Sequence, residues 1–334
     1  MTDQSARLAL ALSVLLLGAP ASAAPGQGGL DSGGSVRPAD QSAPTDPGVA
    51  PLEGRTAAAA AAPRRRARTT PSLSGRASTD ELLQVAGLDR QLSAFGARLA
   101  EQLASGTSGL SPADRQTAAR VLHAGLDGEG LSRVIRAELA RQQEPAQMQA
   151  VVAWYRGPIG ARVAAAAAAL ETPDGQRQFA AFVAQQPSAP ASPARQALVE
   201  QLEWLGGDAD TSAEIVLAAM RAMALTLNAA LPAERRQRPG VLERRLEEAQ
   251  RPLAASLRGP ILRSIQFVYR DLSDDEVRRS TEFHSSQAAR WFTAAVKQAF
   301  TRAAREAAER SARELVRAIP PERWQGPAGP SQGR

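Results

Sequence analysis

The sequence contains no cysteine and only two histidines, His123 and His284. Disulfides, thiolate metal sites, a cysteine nucleophile and a lipid-modified cysteine are therefore excluded. A zinc site built from several histidines is excluded as well, and a histidine-dependent triad would have to use one of these two. Because no motif for catalysis, cofactor binding or metal binding stands out, we expect no catalytic residue, no cofactor and no metal.

Lysine is also scarce, since Lys297 is the only one, and arginine supplies the remaining positive charge. The net charge is +6, but the segment 24–77 holds an excess of three positive charges and the residues after 318 hold one more. Residues 78–318 therefore have a net charge of only +2. Nucleic-acid binding requires a concentrated basic face. The sequence shows none, so we expect no nucleic-acid partner.

A short apolar run lies close to the amino terminus. Leu8–Leu17 reads LALALSVLLL, and Ala21-Ser22-Ala23 supplies the small residues that a signal peptidase requires. The competing interpretation is a membrane anchor, but a spanning helix needs about 20 apolar residues, and Pro20 interrupts this run. We therefore predict that residues 1–23 are a signal peptide and that the protein is exported, to the periplasm or the medium.

Two tails are predicted to flank a folded region. Residues 24–77 are rich in Gly, Pro, Ser and Ala and have few large apolar side chains, so they cannot offset the entropy cost of ordering. We predict a disordered tether here and a second disordered tail at 319–334. The tether arginines could contact an anionic membrane surface, and a solvated linker is the alternative. These arginines are Arg64, Arg65, Arg66 and Arg68.

Between the tails, apolar residues recur at spacings of three and four, as in Leu82–Leu103, and no segment alternates as a β-strand does. We therefore predict an all-α fold. The proline-rich stretch Pro187–Pro193 interrupts the helical pattern, so we place a linker at 187–193 between two helical-bundle halves, 78–186 and 194–318. The last predicted helix has a charged face that includes Arg302, Arg305, Glu306, Glu309 and Arg310.

Local signals mark where several helices start. Ser111-Pro112 and Thr172-Pro173 combine a capping side chain with a proline in the first turn. Ser273–Glu276 and Thr211–Glu214 have the form of capping boxes. We also expect Pro260 to begin a helix, because proline is unfavourable in a helix interior.

The stretch WYRGPIGARV, Trp154–Val163, places two aromatic residues before a Gly-Pro pair. The segments 147–163 and 276–292 align without gaps, with Trp154 opposite Phe283 and Tyr155 opposite His284. In both segments an amphipathic helix ends in two ring side chains and a break follows. We therefore predict a helix–helix corner that is built twice, and two halves that are related to each other.

At these corners the chain resembles the exported bacterial family catalogued as domain of unknown function 2059. The resemblance is carried by Trp154–Arg162, Tyr269–Val277 and Ser285–Phe292, and the segment Glu81–Leu92 is similar to the family's opening helix. It implies a helical envelope protein and supplies no established activity. The departures from the family pattern are Gly157, His284, Gln287 and Ala289, which replace its Ser, aromatic, Pro and Gly.

Ring side chains are the strongest candidates for binding. Those at the corners could line a pocket for an apolar ligand, although rings at helical spacing also fit a core. Isolated tryptophans can anchor a partner protein when they are exposed. The candidates are Trp154, Tyr155, Phe283, His284, Trp291 and Trp204.

From these features we expect a non-catalytic binding or scaffolding module that presents a groove to an envelope protein or a cell-wall component. Two alternatives stay open. One is an envelope hydrolase that uses carboxylates such as Glu276 or Glu282, although Glu276 also fits a helix cap. The other is a protein that is held at an anionic membrane surface by its arginine tether.

Overall fold

The computed structural model describes residues 77–105, 110–186, 188 and 190–324. These residues form helices and connecting turns, and no β-strand occurs among them, which confirms the all-α fold. They all belong to one compact unit. The predicted signal peptide, the tether with its four arginines and residues 325–334 lie outside the described residues.

Helices of the first half begin where the sequence signals predict. Ser111 and Thr172 accept hydrogen bonds from the backbone amides of Asp114 and Gly175, and prolines occupy the first turn of four helices. The helices are α1 (Thr79–Val85), α2 (Leu88–Ser105), α3 (Pro112–Gly125), α4 (Gly128–Arg141), α5 (Pro145–Arg156), α6 (Pro158–Ala169) and α7 (Pro173–Gln185).

The second half contains the longest helices of the described chain. The predicted capping box is present, because Ser273 Oγ accepts from Glu276 N and Glu276 Oε2 accepts from Ser273 N. The helices are α8 (Pro193–Gly206), α9 (Asp208–Ala230), α10 (Pro239–Tyr269), α11 (Asp274–His284) and α12 (Gln287–Ala318), with short 3-10 turns at Ala233–Arg235 and Pro321–Arg323.

Glycine in the left-handed region moves two predicted helix boundaries. The apolar stripe from Leu82 to Leu103 forms two helices, because the chain turns at Gly87, where φ is +72°. Gly207, with φ of +57°, ends α8 and α9 starts directly after it, so Thr211 lies inside α9 and does not cap it. Other residues rarely adopt this backbone region, which explains why these turns need glycine.

The prediction that Pro260 begins a helix is wrong. It lies inside α10, which also contains Pro252. An interior proline removes one backbone hydrogen bond, but Ile261 and Ile265 are fully buried on the same helix. Burial of such side chains stabilises the folded state by about 1.5–3 kcal/mol each, which offsets the loss.

The prediction that a disordered tail starts at residue 319 is wrong for residues 319–324. Ile319 is buried, and the indole Nε1 of Trp324 donates to its carbonyl oxygen at 3.0 Å. Arg323 forms an ion pair with the buried carboxylate of Asp114 at 2.6 Å. Residues 319–324 are therefore tied to the helical body.

Helix α12 is the centre of the fold. It packs along α9 and also against α3, α4 and α5 of the first half. Phe300 of α12 meets Phe95 of α2 edge to face, with ring centroids 5.3 Å apart. Alanine dominates the buried face of α12 and lets its neighbours approach closely. The buried alanines are Ala288, Ala289, Ala295, Ala299, Ala303, Ala304, Ala307, Ala308 and Ala312.

One stretch, residues 193–230, is long and apolar enough to cross a membrane by length and composition alone. In the structure it forms two helices, α8 and α9, which meet at Gly207. Helix α9 packs against α10 and α12. A long apolar helix in a protein core can pass the same test of length and composition. Because α9 packs against α10 and α12, we assign it to the core.

Candidate anion-binding groove

The two predicted corners face each other. Trp154 stacks on Phe283 with ring centroids 4.3 Å apart and an angle of 20° between the planes. The first corner joins α5 to α6, and the second joins α11 to α12. Helix α5 contacts α12, and α11 contacts α6, so the first helix of each corner packs on the second helix of the other, as expected for two related corners. Tyr155 and His284 are buried at equivalent positions. The corners therefore form a packed contact between the halves, while their origin by duplication stays a prediction.

The remaining predicted tryptophans differ in exposure. Trp291 is half-buried, stacks on Phe292 and donates from Nε1 to the carbonyl oxygen of Gln142 at 3.1 Å. Trp204 leaves 74% of its surface exposed. Of the six predicted ring residues, Trp204 is thus the one that is open to solvent.

Glu276, one of the carboxylates considered for hydrolysis, forms a helix cap and an ion pair. It caps α11 and pairs with Arg162 at 2.7 Å. The backbone N–H of Ser273 donates a hydrogen bond to it, and together with Arg162 this lowers the pKa of the carboxyl below its ordinary value. A general acid needs a raised pKa at neutral pH, so this geometry disfavours Glu276 as a proton donor.

A large groove lies elsewhere, between α3, α4 and the C-terminal part of α12. Its volume is about 870 Å³. Small and branched apolar residues form the floor, and the charged residues of α4 and α12 form the walls. Floor residues are Val121, Ala124, Gly125, Val134 and Ala137, and wall arginines are Arg133, Arg141, Arg302, Arg310, Arg313 and Arg317. We call this surface the arginine groove.

Glu138 lines the groove and is 3% exposed. Gln142 Nε2 donates to its Oε1 at 2.7 Å, while Arg302 Nη1 and Arg141 Nη1 donate to its Oε2 at 2.8 and 3.0 Å. These hydrogen bonds and charges lower the pKa of Glu138 below its ordinary value, although burial acts in the opposite direction. Glu138 is therefore an ionised anchor that fixes the two arginines.

Three arginines beside this anchor are exposed and have no ion-pair or hydrogen-bond partner within the described residues. Arg133 of α4 and Arg310 of α12 line the arginine groove. Arg305 lines an adjoining pocket of about 430 Å³, which shares Glu138, Arg141 and Arg302 with the groove. These three guanidinium groups are free to bind a ligand.

The groove and the adjoining pocket together hold eight cationic side chains and five carboxylates, an excess of three positive charges. This exceeds the net charge of +2 over residues 78–318. This concentration of positive charge is not apparent in the sequence, because most of its members come from α4 and α12, which lie far apart in the chain. Tertiary packing concentrates them.

Helices α3 and α12 approach each other closely at Gly125 and Ser311, which both line the groove. A Cβ added at Gly125 would lie 2.2 Å from Ser311 Oγ. The Ser311 hydroxyl is fully buried and has no hydrogen-bond partner among the described residues. A side chain at position 125 would therefore displace the side chain of Ser311.

One sequence signal could have located this site. Leu131, Ile135, Glu138 and Leu139 occupy the buried stripe of α4 at helical spacing. A buried carboxylate on an apolar stripe needs cationic or hydrogen-bonding partners. The identity of those partners follows only from the packing of α12 on α4.

No group of three or more His, Asp or Glu side chains that could hold a metal ion occurs in the described part of the chain. Comparison of the whole chain with protein-family models, curated proteins and solved structures gave no significant match. The resemblance to domain of unknown function 2059 therefore stays a prediction.

Proposed function

We propose that this protein is an exported, non-catalytic binding protein of the cell envelope, and that the arginine groove recognises anionic groups of its ligand. The observation that carries this proposal is the pair of exposed guanidinium groups, Arg133 of α4 and Arg310 of α12, which line the groove and have no partner among the described residues.

The chemistry of the groove supports anion binding. A guanidinium group presents five N–H donors in a planar fork that matches a carboxylate or a phosphate. Arg302 and Arg141 use some of their N–H donors in ion pairs with Glu138. Arg133 and Arg310 have no such pair among the described residues, so all their donors are available. An entering anion would gain hydrogen bonds from these two without breaking an existing ion pair.

The placement in the envelope rests on the apolar run Leu8–Leu17 and the small residues Ala21–Ala23. If the proposal is right, cell fractionation recovers the protein outside the cytoplasm, and mass spectrometry of the mature chain gives an amino terminus at Ala24 or Pro25. An intact amino terminus on a cytoplasmic protein would contradict export.

Anion binding is tested with two small probes, inorganic phosphate and glutarate, by calorimetry and thermal shift. We expect both probes to raise the melting temperature of the wild-type protein. We expect the double substitution Arg133→Ala/Arg310→Ala to weaken binding by about tenfold or more, because two charge-assisted contacts are lost.

The matched control is Arg251→Ala/Arg279→Ala. It removes the same charge from two exposed arginines of α10 and α11 that have no partner among the described residues and lie outside the groove. Equal weakening by both double variants would show a general charge effect and would contradict a site at the groove. Absence of binding to the wild type would overturn the proposal.

A further inference from the structure

The arginine groove combines an apolar floor with cationic walls, and this combination selects among anions. We propose that its occupant is an acidic peptide segment of another protein, which lays apolar side chains on the floor and places carboxylates against Arg133 and Arg310. This inference rests on the proposed function and specifies the class of ligand.

The floor favours a ligand with apolar side chains. Val121 and Val134 are half-buried, and Ala124 and Ala137 are exposed, so apolar surface remains open to water along α3 and α4. Covering such surface is favourable, roughly in proportion to its area. A bare polyphosphate or a small dicarboxylate would leave it uncovered.

The walls set the position of the carboxylates. Arg133 belongs to α4 and Arg310 to α12, so the two guanidinium groups come from different helices that line the groove. Each can form a two-pronged contact with one carboxylate. A segment that lies between them can therefore pair with both walls while its apolar side chains point to the floor.

The length of the groove suits a short segment. Its α12 wall runs from Arg302 to Arg317, about 22 Å at about 1.5 Å per residue. A fully extended peptide of about seven residues covers this distance. Acidic peptides of about eight residues are therefore adequate probes.

We propose another protein, and not this chain's own tails, as the source of the segment, because each tail as a whole has a net positive charge. The segment 24–77 carries an excess of three positive charges, and Arg334 is the only charged residue after 324. The acidic turn before α11 on a second copy is also unsuitable, since its carboxylates are already neutralised. The ion pairs are Arg270–Asp271, Arg195–Asp274, Arg278–Asp275 and Arg162–Glu276.

The test uses the full mature chain and three labelled synthetic peptides of equal length, in which Glu alternates with Leu, Glu alternates with Ser, or Lys alternates with Leu. Fluorescence anisotropy measures each affinity. We expect the Glu/Leu peptide to bind about tenfold more tightly than the Glu/Ser peptide, because two or more side chains cover the floor. The Lys/Leu peptide is expected not to bind.

Two variants separate the walls from the floor. Arg133→Ala/Arg310→Ala should weaken binding of both Glu peptides, whereas Val134→Thr, which keeps the side-chain shape, should weaken only the Glu/Leu peptide. Arg251→Ala/Arg279→Ala is the control for charge, and circular dichroism confirms that each variant is folded.

The outcomes distinguish this inference from the proposed function. If the Glu/Ser peptide, or tripolyphosphate measured separately by calorimetry, binds as tightly as the Glu/Leu peptide, the groove recognises charge alone, and the peptide inference is overturned while anion binding stands. If Val134→Thr leaves the Glu/Leu affinity unchanged, the floor is not used and the inference falls as well. If none of these anions binds, both proposals fail.

Discussion

At the scale of single residues, Glu138 decides how the arginine groove is built. A buried carboxylate without partners is strongly unfavourable, and Glu138 is stabilised by Arg302, Arg141 and Gln142. In return, it holds two long and flexible arginine side chains in place. Glu306 also pairs with Arg302, but its carboxylate is 31% exposed, so the two glutamates form a natural comparison.

We expect Glu138→Gln to destabilise the fold by about 1–3 kcal/mol at pH 7, because a buried charged hydrogen-bond acceptor is lost. The folded-state pKa of Glu138 lies below its ordinary value of 4.5. Its contribution is therefore complete above about pH 4.5 and is lost as the pH falls through the lower, folded-state pKa. Urea unfolding at pH values from about 7 down to 3 should show the gap between wild type and variant closing on acidification.

The control for this prediction is Glu306→Gln. Because an exposed ion pair contributes about 0–1 kcal/mol, we expect a smaller effect of this variant at every pH. A constant gap between wild type and Glu138→Gln down to pH 3 would contradict an ionised Glu138 in the folded state.

At the scale of helices, capping residues determine where a helix begins. Packing against distant parts of the chain determines whether the helix continues. Ser273 and Glu276 satisfy each other's backbone amides at the start of α11, so this boundary is set within four residues. Helix α10 shows the opposite case. Its two interior prolines are tolerated because the residues after Pro260 are buried against the core.

We expect Ser273→Ala to lower the free energy of unfolding by about 1 kcal/mol, because the cap of α11 is lost. Ser256→Ala is the matched control, since Ser256 is exposed in the interior of α10 and caps no helix. The control should change stability by less than about 0.5 kcal/mol. Thermal or urea unfolding of both variants measures the difference, and equal effects would mean that the cap contributes nothing.

At the scale of the whole molecule, the two halves share one core. Helix α12 belongs to the second half by sequence, yet it packs on α3, α4 and α5 of the first half. The corner residues Trp154 and Phe283 stack directly across the halves. Neither half can therefore bury its apolar surface without the other.

This packing predicts cooperative unfolding. Urea transitions followed by tryptophan fluorescence and by far-ultraviolet circular dichroism should coincide for the full mature chain. Trp154→Ala should shift both transitions together, by about 3–5 kcal/mol in free energy of unfolding if the cavity does not close. Two separated transitions, or a shift confined to one probe, would show that the halves fold independently.

The amount that could be predicted from sequence differs between fold and site. Apolar spacing and capping residues identified the helices and most of their starting points, because these signals act within a few residues. The break at Gly87 and the start of α9 at Asp208 were missed, since only the folded backbone shows that Gly87 and Gly207 have positive φ. The arginine groove was not among the predicted candidates, of which Tyr155 and His284 are buried and Trp154 is half-buried against the core.

The sequence by itself determined an all-helical chain, since the period of its apolar residues specifies helices wherever they later pack. The sequence also indicated both helix–helix corners, by the ring pairs Trp154-Tyr155 and Phe283-His284. Only the tertiary structure decided that the charged face of α12 lies beside α4, where Glu138 anchors Arg302 and leaves Arg133 and Arg310 free. The physical reason is that charges distant in sequence become a binding surface only when apolar burial fixes the helices that carry them.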